Sequence, residues 1–153
     1  MTHKHLVAAL GMFTFYPASA QASETWDALS NPSSTLCLDS YGAAGPAQMN
    51  TCHGAKGNQQ WTFHPATGEL RNPSTGLCLD SGGDGVAQMS ACHGNQGDQQ
   101  WALNPTTGEL RNPSSGLCLD SWGKAGEAQM NNCHGSQGNQ QFTPVRQARV
   151  RAR

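Results

Sequence analysis

A chain of 153 residues with 7% aromatic and 12% charged residues is one domain long and builds only a modest apolar core, so loops must occupy much of it. The formal charge of −1 hides a division: residues 21–145 hold ten acidic groups against Lys56, Arg71, Arg111 and Lys124, whereas Arg146, Arg149, Arg151 and Arg153 crowd the end. So acidic a body excludes nucleic acid as an expected partner, and no stretch after residue 20 is long and apolar enough to insert in a membrane as a helix.

In chain order, Lys4 precedes an apolar run from Leu6 to Tyr16 and the small residues Pro17-Ala18-Ser19-Ala20. This is the pattern of a secretory signal peptide over residues 1–20, so a secreted protein is expected, extracellular or periplasmic. Gln21 rather than a cysteine follows the expected cut, which argues against a lipid anchor there.

From there the chain repeats itself. CHGAKGNQQW (52–61), CHGNQGDQQW (92–101) and CHGSQGNQQF (133–142) mark three copies, over about 26–65, 66–105 and 106–145. An array of three would consist mostly of caps, so one unit of pseudo-threefold symmetry is favoured over a solenoid. Each copy reads as four short strands. In the second, Leu70 lies in one run and Leu77 and Leu79 in the next, around a turn at Asn72-Pro73-Ser74-Thr75-Gly76. Met89 centres a third run, and Trp101 and Leu103 a fourth. No helical period is sustained anywhere. The expected core is therefore Leu29, Leu70 and Leu110; Leu38, Leu79 and Leu119; Met49, Met89 and Met130; and Trp61, Trp101 and Phe142. Pro144 falls in the closing strand of copy three, at the position of Phe63 and Leu103, and is expected to shorten it. Residues 146–153 read as a solvated, disordered basic tail.

All six cysteines lie inside the repeats, and an even number in an exported chain reads as a disulfide framework. Fifteen pairings are formally possible. The repetition favours one early and one late cysteine per copy: Cys37 with Cys52, Cys78 with Cys92, and Cys118 with Cys133. Each such loop stabilises by about 3 kcal/mol in the loop-entropy model. Oxidised sulfur is neither nucleophile nor metal ligand, and no CxxC or HxxxH occurs, so no metal, cofactor or cysteine catalysis is expected.

Three features in register carry a family resemblance: CLD at 37–39, 78–80 and 118–120; a second cysteine 14 or 15 residues later; and Gln59-Gln60-Trp61, Gln99-Gln100-Trp101 and Gln140-Gln141-Phe142. Over about 26–143 the chain resembles the ricin-B-type β-trefoil lectins. Leu110–Phe142 is most similar to the lectin domain appended to polypeptide N-acetylgalactosaminyltransferases. The resemblance implies an all-β trefoil of twelve strands and a non-enzymatic, monomeric binder of galactose- or N-acetylgalactosamine-type glycans. It implies that Asp39, Asp80 and Asp120 grip sugar and that Asn58 and Asn139 reach a neighbouring hydroxyl. Gln59, Gln99 and Gln140 would buttress the aspartates, and His53, His93 and His134 would stand beside the ligand.

The chain departs from the family where an aromatic platform usually precedes the second cysteine by two residues: here stand Asn50, Ser90 and Asn131. Tyr41 and Trp122 are the rings that could replace it in copies one and three, whereas copy two has Gly82. Copy two also exchanges the amide for Asp98, beside Asp80, which suits a weak cation site or a degraded sugar site better than an acid–base pair. Up to three weak sites that act together on multivalent glycans are thus expected, the weakest of them in copy two, with Asp80, His93 and Asp98. The alternative is a stapled protein-binding or inhibitor module with decayed sugar sites.

Overall fold

The structure, a computed structural model, describes residues 22–54, 57–94, 97–135 and 138–146. The expected signal peptide and residues 147–153 of the expected tail lie outside the described residues.

Lobe one contains β1 (Glu24–Asn31), β2 (Leu36–Asp39), β3 (Gly45–Pro46), β4 (Gln48–Thr51) and β5 (Trp61–His64). Lobe two contains β6 (Glu69–Asn72), β7 (Leu77–Asp80), β8 (Gln88–Ala91) and β9 (Ala102–Leu103). Lobe three contains β10 (Leu110–Asn112), β11 (Leu117–Asp120), β12 (Gly126–Glu127), β13 (Gln129–Asn132) and β14 (Thr143–Arg146). A single 3-10 turn precedes the last strand of each lobe, at Gly57–Gln59, Gly97–Gln99 and Gly138–Gln140.

The first and last strands of the lobes form a barrel-like sheet. β1 pairs with β5 and β14, β5 with β6, and β9 with β10. Backbone bonds of 2.8 Å from Trp101 N to Gly68 O and from Phe142 N to Gly108 O join the remaining neighbours. The middle strands form the hairpins β2–β4, β7–β8 and β11–β13, each crosslinked within its own lobe by Cys37–Cys52, Cys78–Cys92 or Cys118–Cys133.

Twelve strands are the expected four per lobe, and two more, β3 and β12, pair across lobes. β3 lies on β8, β12 on β4, and the bridge Val86–Gln129 is the third contact of this kind. Just beyond them Ala47 N donates to Ala87 O (2.9 Å), Ala87 N to Ala128 O (3.0 Å) and Ala128 N to Ala47 O (2.9 Å). This closed ring of three bonds marks the pseudo-threefold axis. All three alanines are fully buried, because a longer side chain has no room where three backbones converge.

The twelve expected core positions are all buried, each large side chain contributing about 1.5–3 kcal/mol. Trp26 joins them from outside the repeated pattern and stacks on Phe63 at 5.3 Å. Two expectations about the chain's end need revision. β14 is four residues long despite Pro144, which sits opposite Leu29 of β1, and the two-residue closing strand is β9. A proline is tolerated because β14 is paired along its length on one side only. β14 also reaches Arg146, the first residue of the stretch read as a tail, where Nη2 stands 3.5 Å from Glu24 Oε1.

Candidate functional site

The CLD aspartate ends the second strand of each lobe, so its side chain falls at the rim where the hairpin gives way to a loop. All three aspartates are buried, and two bonds to each recur in every lobe. One oxygen accepts the backbone N–H two residues on: Tyr41 N at 2.7 Å from Asp39 Oδ1, Gly82 N at 2.8 Å from Asp80, and Trp122 N at 2.8 Å from Asp120. The other accepts from a glutamine of the 3-10 turn: Gln59 Nε2 at 3.0 Å, Gln99 Nε2 at 3.1 Å and Gln140 Nε2 at 3.0 Å.

These buried glutamines are fully employed. Nε2 also donates to Thr51 O, Ala91 O or Asn132 O, while Oε1 accepts from the backbone N–H of His53, His93 or His134. One amide thereby fixes the carboxylate, the third strand and the start of the histidine loop in mutual register. The three histidine rings are exposed, with Nε2 3.8, 3.8 and 3.9 Å from the Oδ2 of their aspartates. Asn58 and Asn139 are half-buried on the 3-10 turn. Their carbonyls accept from Ser40 N and Ser121 N at 2.8 Å, and their amides lie over Gly42 and Gly123.

The lobes part company at the residue bound to Oδ1. Tyr41 (φ 62°) and Trp122 (φ 61°) hold the left-handed conformation that bulky residues avoid, and they are 66% and 54% exposed. Each projects an apolar ring into solvent beside the aspartate's loop. Lobe two has Gly82 in the same left-handed region, at φ 76°. Its loop between the aspartate and the axial alanine has six residues (81–86), against seven in the other lobes (40–46 and 121–127). The shortening carries the Val86 carbonyl to within 2.5 Å of any Cβ at position 82. No side chain can stand there.

Asp98 also departs from its counterparts, for it is exposed where Asn58 and Asn139 are half-buried. Among the described residues, the only groups of three or more His/Cys/Asp/Glu close enough to share an ion are Glu69 with Cys78 and Cys92, and Glu109 with Cys118 and Cys133. Their sulfurs are in disulfides, and neither group includes Asp80 or Asp98.

Several sets of residues escaped the sequence reading, and one more was read there only as missing aromatics. Asn31, Asn72 and Asn112 are fully buried at the ends of β1, β6 and β10. Each reaches into the preceding lobe, where Nδ2 donates to two carbonyls of the 3-10 turn at 2.7–2.8 Å, such as Gly57 O and Gln60 O for Asn72. The glycine opening each turn is pressed on the following lobe, so that a Cβ at Gly57 would meet Ser74 Oγ at 2.8 Å. The recurrence of Asn-Pro-Ser in all copies was the available signal. Gln48, Gln88 and Gln129 pair directly with the aspartates across each hairpin and share their face. Asn50, Ser90 and Asn131 share it too, opposite the first cysteine, and Asn131 Nδ2 donates to Asp120 Oδ2 at 3.2 Å.

A family model described as ricin-type beta-trefoil lectin domain matches residues 25–142. A search of curated proteins found no match. Among solved structures, the hemolytic lectin CEL-III is 28% identical with a TM-score of 0.68, over 80% of this chain and 30% of that one. GalNAc-T7, crystallised with UDP, GalNAc and Mn2+, is 22% identical with a TM-score of 0.67, over 80% and 22%. A non-toxic homologue of type II RIPs from Momordica charantia (bitter gourd), in complex with α-methyl-D-galactoside, is 19% identical with a TM-score of 0.65, over 81% and 48%. The chain thus spans less than half the length of each, and at such identities the last two likenesses are of fold. Three stapled lobes about one axis, each with its aspartate and glutamine at the rim, agree with the match over residues 25–142: the chain belongs to the ricin-type β-trefoil lectin family.

Proposed function

We propose that the protein is an exported lectin for glycans bearing galactose or N-acetylgalactosamine, with working sites in lobes one and three. The observation that carries this reading is the coincidence, in those lobes alone, of a buried, oriented aspartate with an exposed ring on the adjoining left-handed residue. A sugar offers neighbouring hydroxyls and a C–H face. The carboxylate accepts from the hydroxyls, the ring covers the C–H face, and Asn58 or Asn139 supplies an amide that both donates and accepts. The axial 4-hydroxyl of galactose leaves one face free of polar groups, which suits such a ring. The GalNAc and α-methyl-D-galactoside in the neighbouring crystals support this choice of sugar.

The mechanism is recognition and not turnover. One ring contact contributes about 0.5–1.5 kcal/mol, and a lone shallow site is expected near a Kd of about 1 mM, roughly −4 kcal/mol. Two sites engaged together on a multivalent glycan bind about 100-fold or more tightly. Three intralobe disulfides support an oxidising, extracellular or periplasmic location.

A glycan array with the oxidised, leader-free protein beside a Tyr41→Gly, Trp122→Gly double variant tests the reading. Hits on terminal galactose or N-acetylgalactosamine that vanish in the variant are expected. An array without hits would transfer support to the protein-binding alternative, which the missing family aromatics at Asn50, Ser90 and Asn131 favour, whereas hits that survive both substitutions would refute the ring-bearing sites argued here.

A further inference from the structure

We propose that the two working lobes are not equivalent: Asn131 caps the lobe-three aspartate, leaving it one hydroxyl contact, whereas Asp39 of lobe one takes two. This rests on the reading of both lobes as sugar sites.

An ionised carboxylate has about two acceptor positions on each oxygen. In lobe one, Asp39 Oδ1 takes one bond from Tyr41 N and Oδ2 one from Gln59 Nε2. Among the described residues nothing else hydrogen-bonds either oxygen, which leaves one acceptor position on each, the arrangement that two adjacent hydroxyls require. In lobe three, Asp120 Oδ1 likewise takes one bond, from Trp122 N. Its Oδ2, however, accepts from both Gln140 Nε2 at 3.0 Å and Asn131 Nδ2 at 3.2 Å, and is filled. A hydroxyl seeking Oδ2 must displace the Asn131 amide.

The difference does not come from the sequence at this position, since lobe one also has asparagine there. Asn50 and Asn131 occupy the same register, opposite Cys37 and Cys118, but among the described residues only Asn131 bonds its aspartate. Nor do the histidines distinguish the lobes, standing 3.8 and 3.9 Å from Oδ2. Asn131 is half-buried at the rim, so its amide is also placed to meet a substituent on the sugar in place of the hydroxyl it excludes. It therefore acts as a specificity-determining residue.

The lobes can be followed separately in one sample by two-dimensional amide NMR, because Gly42 reports lobe one and the exposed Trp122 indole reports lobe three. The probes are methyl α-galactoside and its 3-deoxy and 4-deoxy analogues. Lobe one is expected to weaken about tenfold with either deoxy sugar, the worth of one hydrogen bond to a charged acceptor. Lobe three is expected to weaken similarly with only one of them. Asn131→Ala and Asn131→Ser should tighten methyl α-galactoside at lobe three about tenfold and make it sensitive to both deletions, with the lobe-one Kd as internal reference. Lobe three losing affinity with both deoxy sugars in the native chain, or both variants leaving its Kd unchanged or weaker, would overturn the cap while leaving the lectin reading intact. No shift at either reporter with any sugar would overturn both.

Discussion

Tyr41 and Trp122 are held where backbone sterics oppose them, and the left-handed geometry of a bulky residue costs about 1–3 kcal/mol. Glycine relieves that strain but loses about 0.5–1 kcal/mol of chain entropy, so Tyr41→Gly and Trp122→Gly are expected to hold or raise stability by up to about 2 kcal/mol. Sugar binding should disappear from the same lobe. Thermal unfolding paired with a galactoside titration reads both effects, and a fall in Tm would contradict the strain argument. Thr35, at φ 64°, is the control. It occupies a turn where lobes two and three have Gly76 and Gly116, away from the aspartate, so Thr35→Gly should raise Tm and leave binding unchanged. The strain is legible only in coordinates, because nothing in Ser-Tyr-Gly or Ser-Trp-Gly announces a positive φ at the aromatic.

Among the elements, the loop after each aspartate decides whether its lobe can present a ring. The one-residue deletion in lobe two is visible as a repeat period of 40 rather than 41, but its consequence, a carbonyl 2.5 Å from the would-be Cβ, is not. Gly82→Trp alone should therefore destabilise the fold by about 2 kcal/mol or more and confer no binding. Replacing 82–86 by the lobe-three loop 122–127 should create a third site, and a galactoside titration by NMR would show or deny it. The 3-10 turn behind each site depends on an asparagine from the following lobe. Asn72→Ala removes the side-chain donor from Gln60 O and leaves Gly57 O only the 3.3 Å bond from Gln60 N, so it should cost about 1–3 kcal/mol in urea unfolding. It should also loosen the lobe-one site, because that turn carries Asn58 and Gln59. A sugar titration that finds lobe three weakened instead would refute the coupling between lobes.

At the scale of the molecule, three weak hairpins are made into one body by the alanine ring, the common core and the disulfides. Ala87→Leu, at the axis, is expected to cost about 1–3 kcal/mol from overpacking, and its Tm should fall well below that of a substitution at exposed Ala43. Much of this body was open to sequence reading. Threefold repetition averages over local ambiguity, so strands, staples and core positions could be assigned by agreement among copies, and all twelve core positions are buried. The same reliance on agreement missed Trp26, which occurs once and packs on Phe63.

What the amino-acid sequence alone determined was the part of the protein that symmetry repeats: the trefoil, its three staples, and an aspartate and glutamine in each lobe. The three lobes and their staples follow from hydrophobic spacing and cysteine register, which are local and recur; the trefoil and the parts played by aspartate and glutamine are what the resemblance carried by CLD and the Gln-x-aromatic endings implies. The tertiary structure decided what breaks the symmetry: a carbonyl that closes lobe two, an asparagine that bonds Asp120 but not Asp39, and asparagines that brace each turn from the next lobe. Those differences depend on distances of a few tenths of an ångström between segments far apart in the chain, and hydrophobic pattern carries no record of them.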